Sequence, residues 1–247
     1  MGKGYTPQER KPKGSQFYEL RAYKGVPQPG GPAEYHVPGR NPDGSVHARH
    51  EDRYRWAVGA LAGAEDAMVG PGGRWLDCAC GTGYGTQLLW ELASADIAPA
   101  WVTGVDRSAN AVAYAKQYHR PAGAPLTYQH LTIQSAGQWL RMLGPFDAVV
   151  CVETLEHLGK EVGAAWLQNV AANLPPYGAL ALCCPVGEGK ASETNPWHLH
   201  EPTPDALRAQ LLALFGRVHL SLEEYESTSG PAVQAKAICT QPKVPTP

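Results

Sequence analysis

Two carboxylates and an imidazole lie within five residues of one another, directly after the apolar run at positions 146–152. They are Glu153, Glu156 and His157. Carboxylate and imidazole ligands together suit divalent ions such as Mg²⁺, Mn²⁺, Fe²⁺ or Zn²⁺. Without a metal, His157 has the residue type of a general base, because imidazole exchanges protons near neutral pH. A third interpretation is structural, with Glu153 capping the next turn and His157 packing, and the spacing alone leaves all three open.

A second group of residues suited to chemistry lies at positions 75–86. An apolar run ends there at Asp77, and three glycines follow at alternate positions, Gly81, Gly83 and Gly85. Glycine adopts backbone angles that other residues avoid, and a strand, a glycine turn and a helix start together form a nucleotide-type pocket at the carboxyl edge of a parallel sheet. A second apolar run ends at Asp106, at the distance along the chain that is usual for a ribose-binding acid.

The charge of the pocket indicates which nucleotide it suits. The dinucleotide fingerprint puts a pyrophosphate at the helix N-terminus and needs a third glycine where this chain has Thr86. Asp77 would repel a pyrophosphate but would attract an ammonium group. S-adenosylmethionine has a cationic amino-acid end, a ribose and no phosphate, so it fits better. We therefore predict Asp77 at its amino group, Asp106 at its ribose hydroxyls, and backbone access through the three glycines.

Five segments, in matching order, resemble the class I S-adenosylmethionine-dependent methyltransferases. Residues 75–86 resemble motif I of that family, and Asp106 resembles its ribose-binding acid. The other four segments are 50–57 (HEDRYRWA), 146–158 (FDAVVCVETLEHL), 174–180 (LPPYGAL) and 195–198 (NPWH). The resemblance is to a bacterial branch similar to the small-molecule O-methyltransferases that carry an E-x-x-E-H cluster.

The E-x-x-E-H order is similar to that of two oxygen-methylating groups. These are the ubiquinone-pathway O-methyltransferases and the enzymes that methylate the terminal 2′-hydroxyl of small RNAs. The RNA enzymes add a later histidine, and its match here is His198. The resemblance thus implies a divalent ion held by Glu153, Glu156, His157 and His198, with Glu156 and His157 leading the catalysis.

The resemblance also implies further contacts to the cofactor. Arg107 or Ser108 is expected near the adenine, and Tyr54 is expected to line the cofactor, with Arg53 and Tyr84 as further candidates. The family often has an acid after the third strand, but residues 130–134 (HLTIQ) contain none. Thr132, Ile133 or Gln134 is therefore expected at the adenine in its place.

Composition limits the classes of partner. The chain of 247 residues has 21 basic and 23 acidic residues, and its net charge of −2 provides no general attraction to nucleic acid or anionic membranes. No apolar run approaches the ~20 residues of a membrane span, and no signal core is visible. The six cysteines lie in apolar runs without a C-x-x-C pair, as is typical of buried reduced thiols in a cytoplasmic protein. The oligomeric state is left open.

The chain divides into a loop-rich arm or lid over residues 1–48 and a methyltransferase domain over residues 49–247. Strand and helix patterns alternate in the second part, which predicts an α/β fold with a Rossmann-like, mostly parallel sheet and helices on both faces. The resemblance implies that strand seven runs antiparallel to the others. Predicted strands are 74–80, 101–106, 126–131, 146–152, 179–184, 218–225 and 232–240. Predicted helices are 49–68, 86–95, 109–118 (with Ser108 as the N-cap), 137–143, 162–173 and 203–214.

These observations predict an S-adenosylmethionine-dependent O-methyltransferase acting on a hydroxyl of a small molecule such as a sugar, nucleoside or phenol, with or without a metal. RNA is the alternative acceptor, ranked lower because no RNA-binding module or basic excess is visible. A nicotinamide-dependent oxidoreductase on a Rossmann-like sheet is a second class, disfavoured by Asp77 and Thr86. A non-catalytic module that retains the cofactor pocket is a third, disfavoured by the intact E-x-x-E-H cluster.

Overall fold

The computed structural model describes residues 48–67, 69–227 and 230–243. The predicted arm lies outside them except for Ala48, which begins the first helix. The helices are α1 (Ala48–Ala62), α2 (Tyr84–Leu92), α3 (Ala109–Tyr118), α4 (Ala136–Leu143), α5 (Lys160–Asn173) and α6 (Pro204–Leu214). The strands are β1 (Arg74–Cys78), β2 (Trp101–Asp106), β3 (Leu126–His130), β4 (Ala148–Val152), β5 (Ala179–Val186), β6 (Phe215–Ser227) and β7 (Gly230–Pro242).

The strands of the described residues form one sheet in the order β3-β2-β1-β4-β5-β7-β6. Strands β1 to β5 pair in parallel, whereas β7 runs antiparallel to both of its neighbours, β5 and β6. The predicted Rossmann-like sheet with an antiparallel seventh strand is therefore confirmed. The chain reverses its direction of progress across the sheet between β1 and β4, and in open α/β sheets ligands bind at the carboxyl ends of the strands at such a point.

An apolar core covers each face of the sheet. All residues of β4 and β5 are buried, as expected for strands covered on both sides, and their sequences are accordingly continuous apolar runs. One core packs α4, α5 and α6 against the sheet around Trp166 and Phe215. The other packs α1, α2 and α3 around Trp75 and Leu89. Burial of each such large side chain stabilises the fold by roughly 1.5–3 kcal/mol, so the sheet edge that these cores support is a rigid platform.

The predicted elements are all present, and the differences are at their ends. Strand β2 and helix α3 have the predicted bounds, and the Ser108 hydroxyl accepts a hydrogen bond from the Ala111 amide at 3.2 Å, as expected of an N-cap. Helix α1 ends at Ala62, well before the predicted end at residue 68. Strands β6 and β7 each have 13 residues and extend past their predicted ends on both sides.

The cysteines and the helices agree with the expectations from composition. All six cysteines are buried and none is paired in a disulfide, so the prediction of burial is confirmed. Of the helices in the described part of the chain, none combines the length and the apolar character that crossing a bilayer requires.

Candidate functional site

Asp106, at the end of β2, lies against the glycine turn that follows β1. One of its carboxylate oxygens accepts a hydrogen bond from the Gly81 amide at 2.9 Å, and the other accepts one from the Ser108 amide at 2.8 Å. The side chain is buried but still lines the crevice at the carboxyl edge of the sheet. Two backbone donors therefore fix the orientation of this carboxylate, as a ribose-binding acid requires.

Two adjoining pockets form the two halves of the crevice. The first half extends from Asp106 toward the loop after β3, and the second half lies between the glycine turn and α1. Arg107 lies on this wall, and Leu131, Ile133 and Leu158 supply apolar surface. The expected contact of Arg107 with an adenine stays a prediction. Thr132, the predicted adenine contact, is exposed, and its carbonyl accepts a hydrogen bond from the Trp139 indole at 2.8 Å. Its neighbours Ile133 and Gln134 line the crevice instead, so an adenine at this place would contact those alternatives to Thr132.

The three glycines of the turn have different surroundings. Gly81 lines the crevice, which agrees with its predicted role in backbone access. A Cβ on Gly83 would lie 2.5 Å from the Ala115 Cβ, and one on Gly85 would lie 2.0 Å from Cζ of Tyr54. Gly83 and Gly85 are thus required by close packing of the protein itself, a reason for glycine that the sequence prediction missed.

Ala79 lines both halves of the crevice and has a φ of 60°. This left-handed conformation is costly for a residue with a Cβ and normal for glycine. Backbone strain of this kind concentrates at functional sites. The peptide that leads from β1 into the glycine turn is therefore held in a defined, strained geometry.

Asp77 is fully buried at the end of β1. Its carboxylate accepts hydrogen bonds from the Thr86 hydroxyl at 2.6 Å and from the Tyr54 hydroxyl at 3.3 Å. Burial raises the pKa of Asp77 to about 7, although these two hydrogen bonds act to lower it. Asp77 is not among the residues that line the crevice, whereas Tyr54 is. Its predicted contact with the cofactor amino group stays a prediction, and in this structure Asp77 orients Tyr54 and Thr86.

The second half of the crevice lies between the glycine turn and α1. Tyr54 and His50 of α1 meet Tyr84 at the start of α2, and the Tyr54 and Tyr84 rings pack edge to face with centroids 5.9 Å apart. The Tyr84 hydroxyl is hydrogen bonded to Nδ1 of His50. The predicted position of Tyr54 beside the cofactor crevice agrees with this geometry. His50, which the sequence analysis did not single out as a site residue, also belongs to the wall.

Glu156, His157 and His198 converge at the end of β4. Each can offer one ligand atom, and these atoms all lie within 4.8 Å of one another. Glu156 is fully buried, and its Oε1 lies 3.6 Å from Nε2 of His157. Nδ1 of His157 bonds to the Trp197 carbonyl at 2.9 Å, and Nδ1 of His198 bonds to a Glu201 oxygen at 2.6 Å. With both Nδ1 atoms engaged, Nε2 is the nitrogen that each ring can present to a ligand.

Glu153, the fourth predicted metal ligand, lies outside this three-residue group. Its Oε1 accepts a hydrogen bond from Nε2 of the Gln234 side chain at 2.7 Å and lies 3.4 Å from Nε of Arg53, which is itself buried. The Arg53 guanidinium also lies over the Tyr225 ring, 5.8 Å from its centroid. Glu153 has a φ of 51° and lines both halves of the crevice. The structure thus brings three of the four predicted ligands together and links Glu153 to α1 and β7.

His157 connects this cluster to the crevice, because it lines both halves together with Glu153, Ala79 and Gly81. His157 therefore lies in the wall that the two halves share, with Glu156 and His198 next to it. A ligand that extends from Asp106 to Tyr54 would pass beside the His157 imidazole near the middle of its length.

Residues 76–178 match the model of a family described as a methyltransferase domain. The ubiquinone biosynthesis O-methyltransferase of Dechloromonas aromatica (strain RCB) is 36% identical over 94 residues, which are 38% of this chain and 37% of that relative. The match therefore spans much less than two thirds of the relative's length.

Two solved structures show the same fold over most of the chain. Magnesium protoporphyrin IX methyltransferase (ChlM) from Synechocystis PCC 6803, with bound SAH, is similar with a TM-score of 0.58 and 17% identity over 92% of this chain and 95% of that chain. The cyclopropane synthase MmaA2 from Mycobacterium tuberculosis has a TM-score of 0.59 and 13% identity over 84% and 90% of the two chains. The family match confirms the predicted methyltransferase domain over residues 76–178. The two structures show the fold predicted for class I S-adenosylmethionine-dependent methyltransferases over most of the chain.

Proposed function

We propose that this protein transfers the methyl group of S-adenosylmethionine to a hydroxyl oxygen of a small molecule such as a sugar, nucleoside or phenol. The observation that carries the proposal is His157, which lines both halves of the crevice and groups with Glu156 and His198. A cofactor extended along the crevice would present its sulfonium methyl near this cluster. The free thiols support a reducing, cytoplasmic location.

Asp106 lines the crevice, and the Gly81 and Ser108 amides fix the orientation of its carboxylate. A carboxylate is an acceptor of hydrogen bonds, so ribose hydroxyls would donate to it. The adenine would then lie between Arg107 and the apolar side chains of Ile133 and Leu158. The methionine end would lie over Gly81, beside Tyr54 and Tyr84, whose aromatic rings would attract its positive charge.

The chemistry of an alcohol acceptor accounts for the cluster. Methyl transfer from a sulfonium is an in-line displacement, and holding the two reactants aligned can supply roughly 7–11 kcal/mol of the barrier. The acceptor hydroxyl must also lose its proton, either to a positioned base or through a metal that lowers its pKa. His157 lies at the place where that proton leaves, and His198 packs edge to face against it at 5.0 Å.

The three side chains fit a divalent metal ion. Ligand atoms at about 2.0–2.2 Å from one ion are at most about 4.4 Å apart. Oε1 of Glu156 and Nε2 of His157 are 3.6 Å apart, which is within this limit. One carboxylate and two imidazoles favour Zn²⁺, Fe²⁺ or Mn²⁺ over Mg²⁺, which prefers oxygen ligands. Such an ion would supply Lewis-acid activation of the acceptor hydroxyl. Glu156, His157 and His198 would hold it, while Glu153 would stay with Arg53 and Gln234 and shape the wall.

Two observations support an oxygen acceptor of small size. The relative from Dechloromonas aromatica is an O-methyltransferase by name, and its match runs over part of this chain. The net charge of −2 does not favour the phosphate backbone of RNA. Methylation of RNA is the alternative, and the acceptor assay described below tests it with a short RNA.

Calorimetry with S-adenosylhomocysteine (SAH), the demethylated product of the cofactor, tests the cofactor half of the proposal. Binding is expected for the full chain, and Asp106→Ala is expected to weaken it roughly 10- to 100-fold, because charged hydrogen bonds contribute about 1.5–3 kcal/mol. Circular dichroism checks that the variant is folded. Absence of SAH binding, or binding of a nicotinamide cofactor in its place, would overturn the proposal.

Methyl-transfer assays with labelled S-adenosylmethionine test the acceptor half. Catechols, sugars, nucleosides and a short RNA are offered with and without a chelator. We expect methyl transfer to a small-molecule hydroxyl, and we expect His157→Ala and His198→Ala to lose this activity. The chelator should also remove the activity of the unsubstituted enzyme, and an added divalent ion should restore it. His219→Ala, at an exposed histidine of β6, is the matched control.

If the chelator changes nothing while His157→Ala is inactive, His157 acts as a base without metal. Transfer to RNA alone would refute the small-molecule assignment, and no transfer to any hydroxyl would refute O-methylation.

A further inference from the structure

The segment between β5 and α6 folds back onto the sheet edge and fixes the backbone of Glu201 there. The Glu201 amide donates to the Lys190 carbonyl at 2.9 Å, and the Glu201 carbonyl accepts from the Gly189 amide at 2.9 Å. A Cβ on Gly187 would lie 2.8 Å from Oε2 of Glu201 and 3.1 Å from its Cβ. Glycine at position 187 therefore leaves the space that the Glu201 side chain occupies beside the end of β5.

From this anchored position Glu201 reaches His198. The distance from Nδ1 of His198 to Oε1 of Glu201 is 2.6 Å, and both side chains are largely buried, at 12% and 19% exposed. An ionised carboxylate only accepts hydrogen bonds, so the proton of the neutral imidazole resides on Nδ1. Nε2 of His198 then carries a lone pair, which is the form that binds a metal ion.

We infer that Glu201 is a positioning residue, which holds His198 in the Nδ1–H tautomer and directs its Nε2 toward Glu156 and His157. The inference rests on the proposed function, because it assigns a purpose to the ring orientation within the same cluster. The Trp197 carbonyl performs the equivalent task for His157, at 2.9 Å from Nδ1. The two histidines thus have different partners, a charged carboxylate for one and a neutral carbonyl for the other.

The two partners differ in whether a substitution can remove the hydrogen bond that they accept from the histidine. A backbone carbonyl is retained in every variant at position 197, so the tautomer of His157 is insensitive to the side chain there. The partner of His198 is a side chain, and substitution removes it. Carboxylates and carbonyls that accept from a metal-binding histidine fix its tautomer and its basicity, and their loss typically weakens metal binding about 10- to 100-fold.

The test uses the full chain and three variants, Glu201→Ala, Glu201→Gln and Glu193→Ala. Glu193 is an exposed carboxylate of the same segment that pairs with Lys190, so its removal is the matched control. Calorimetry with Zn²⁺ measures metal affinity. Imidazole ¹⁵N NMR reports the His198 tautomer without metal, with His198→Ala assigning the signal. Calorimetry with SAH on the same samples reports the cofactor site.

We expect Glu201→Ala to weaken Zn²⁺ binding about 10- to 100-fold and to shift His198 toward the Nε2–H tautomer. Glu201→Gln should retain most of the affinity and the Nδ1–H signal, because its amide oxygen still accepts. Glu193→Ala should match the unsubstituted protein, and SAH affinity should be unchanged throughout.

If Glu201→Ala keeps both the tautomer and the Zn²⁺ affinity, the inference is wrong. If no sample binds Zn²⁺, the ligand role of His198 is overturned, and a failure of SAH binding marks the failure of the proposed function instead.

Discussion

Replacing Asp77 by asparagine is expected to change how the free energy of unfolding depends on pH. Burial raises the pKa of the Asp77 carboxyl from its ordinary 3.8 to about 7, against the opposing hydrogen bonds from Thr86 and Tyr54. Between these two values the folded protein holds a proton that the unfolded chain has released. The stability that this proton contributes is complete below the lower value and is lost as the pH rises through about 7.

The size of the effect follows from the shift. One pKa unit corresponds to about 1.36 kcal/mol, so Asp77 contributes on the order of 2.5 kcal/mol at about pH 5 and almost nothing at about pH 8. His119 has the opposite effect, because burial lowers its pKa to about 4. As the pH falls, the unfolded chain takes up the His119 proton at a higher pH than the folded protein does. This difference costs roughly 2 kcal/mol of stability at about pH 5 and nothing at about pH 8. The two contributions nearly cancel, so only differences between variants reveal them.

Urea unfolding without cofactor, at several pH values between about 5 and 8, measures these differences. The stability of the unsubstituted protein minus that of Asp77→Asn should decrease by about 2.5 kcal/mol from the acidic to the alkaline end. The corresponding difference for His119→Gln should change in the opposite direction, which controls for general effects of pH. If the unsubstituted protein and Asp77→Asn give parallel curves, the folded protein does not hold a proton on Asp77, and the reasoning from burial is refuted.

Four further substitutions test the backbone geometry, the packing and the capping described above. Ala79→Gly is expected to raise the free energy of unfolding by about 1 kcal/mol in urea, because glycine adopts a φ of 60° without steric cost; an unchanged value would argue against strain. Gly85→Ala is expected to lower stability by about 3 kcal/mol and to weaken SAH binding in calorimetry, because the added Cβ would displace Tyr54. Gly59→Ala in α1, with nothing within 4 Å of the new Cβ, should instead stabilise by up to about 1 kcal/mol, and equal effects at the two glycines would contradict the packing argument. Thr203→Ala should cost about 1 kcal/mol in thermal or urea unfolding, because its hydroxyl accepts from the Ala206 amide at 3.1 Å; no loss would show that this cap contributes nothing.

The sheet and the position of Asp106 were predictable because they depend on local pattern. Apolar runs that end in a carboxylate indicate parallel strands, and Ser108 before a helical period indicates an N-cap. The meeting of His157 and His198 was implied only by the resemblance to methyltransferases that bind a divalent ion, and the structure brings the two ring centroids to 5.0 Å. These features depend on the order of residues along the chain and require no knowledge of distant contacts.

The partners of the site residues were not predictable, because they come from segments far apart in sequence. Nothing in the local pattern indicates that Glu153 binds Arg53 and Gln234. Glu201 follows His198 by three residues, yet a bond between them requires a loop geometry that the sequence does not encode visibly. The packing reason for Gly85 likewise depends on Tyr54, which arrives from the preceding helix.

The placement of β7 has a consequence for biosynthesis. This strand is made after β6 but lies between β5 and β6, and its Gln234 holds Glu153 at the crevice. While the ribosome is still synthesising residues 230–242, a nascent chain can pair β1 to β5 but lacks the strand that joins β6 to them. The wall formed by Glu153 therefore reaches its final geometry only after β7 has been made, and a chain interrupted before β7 would leave the edge of β5 open to pairing with other molecules.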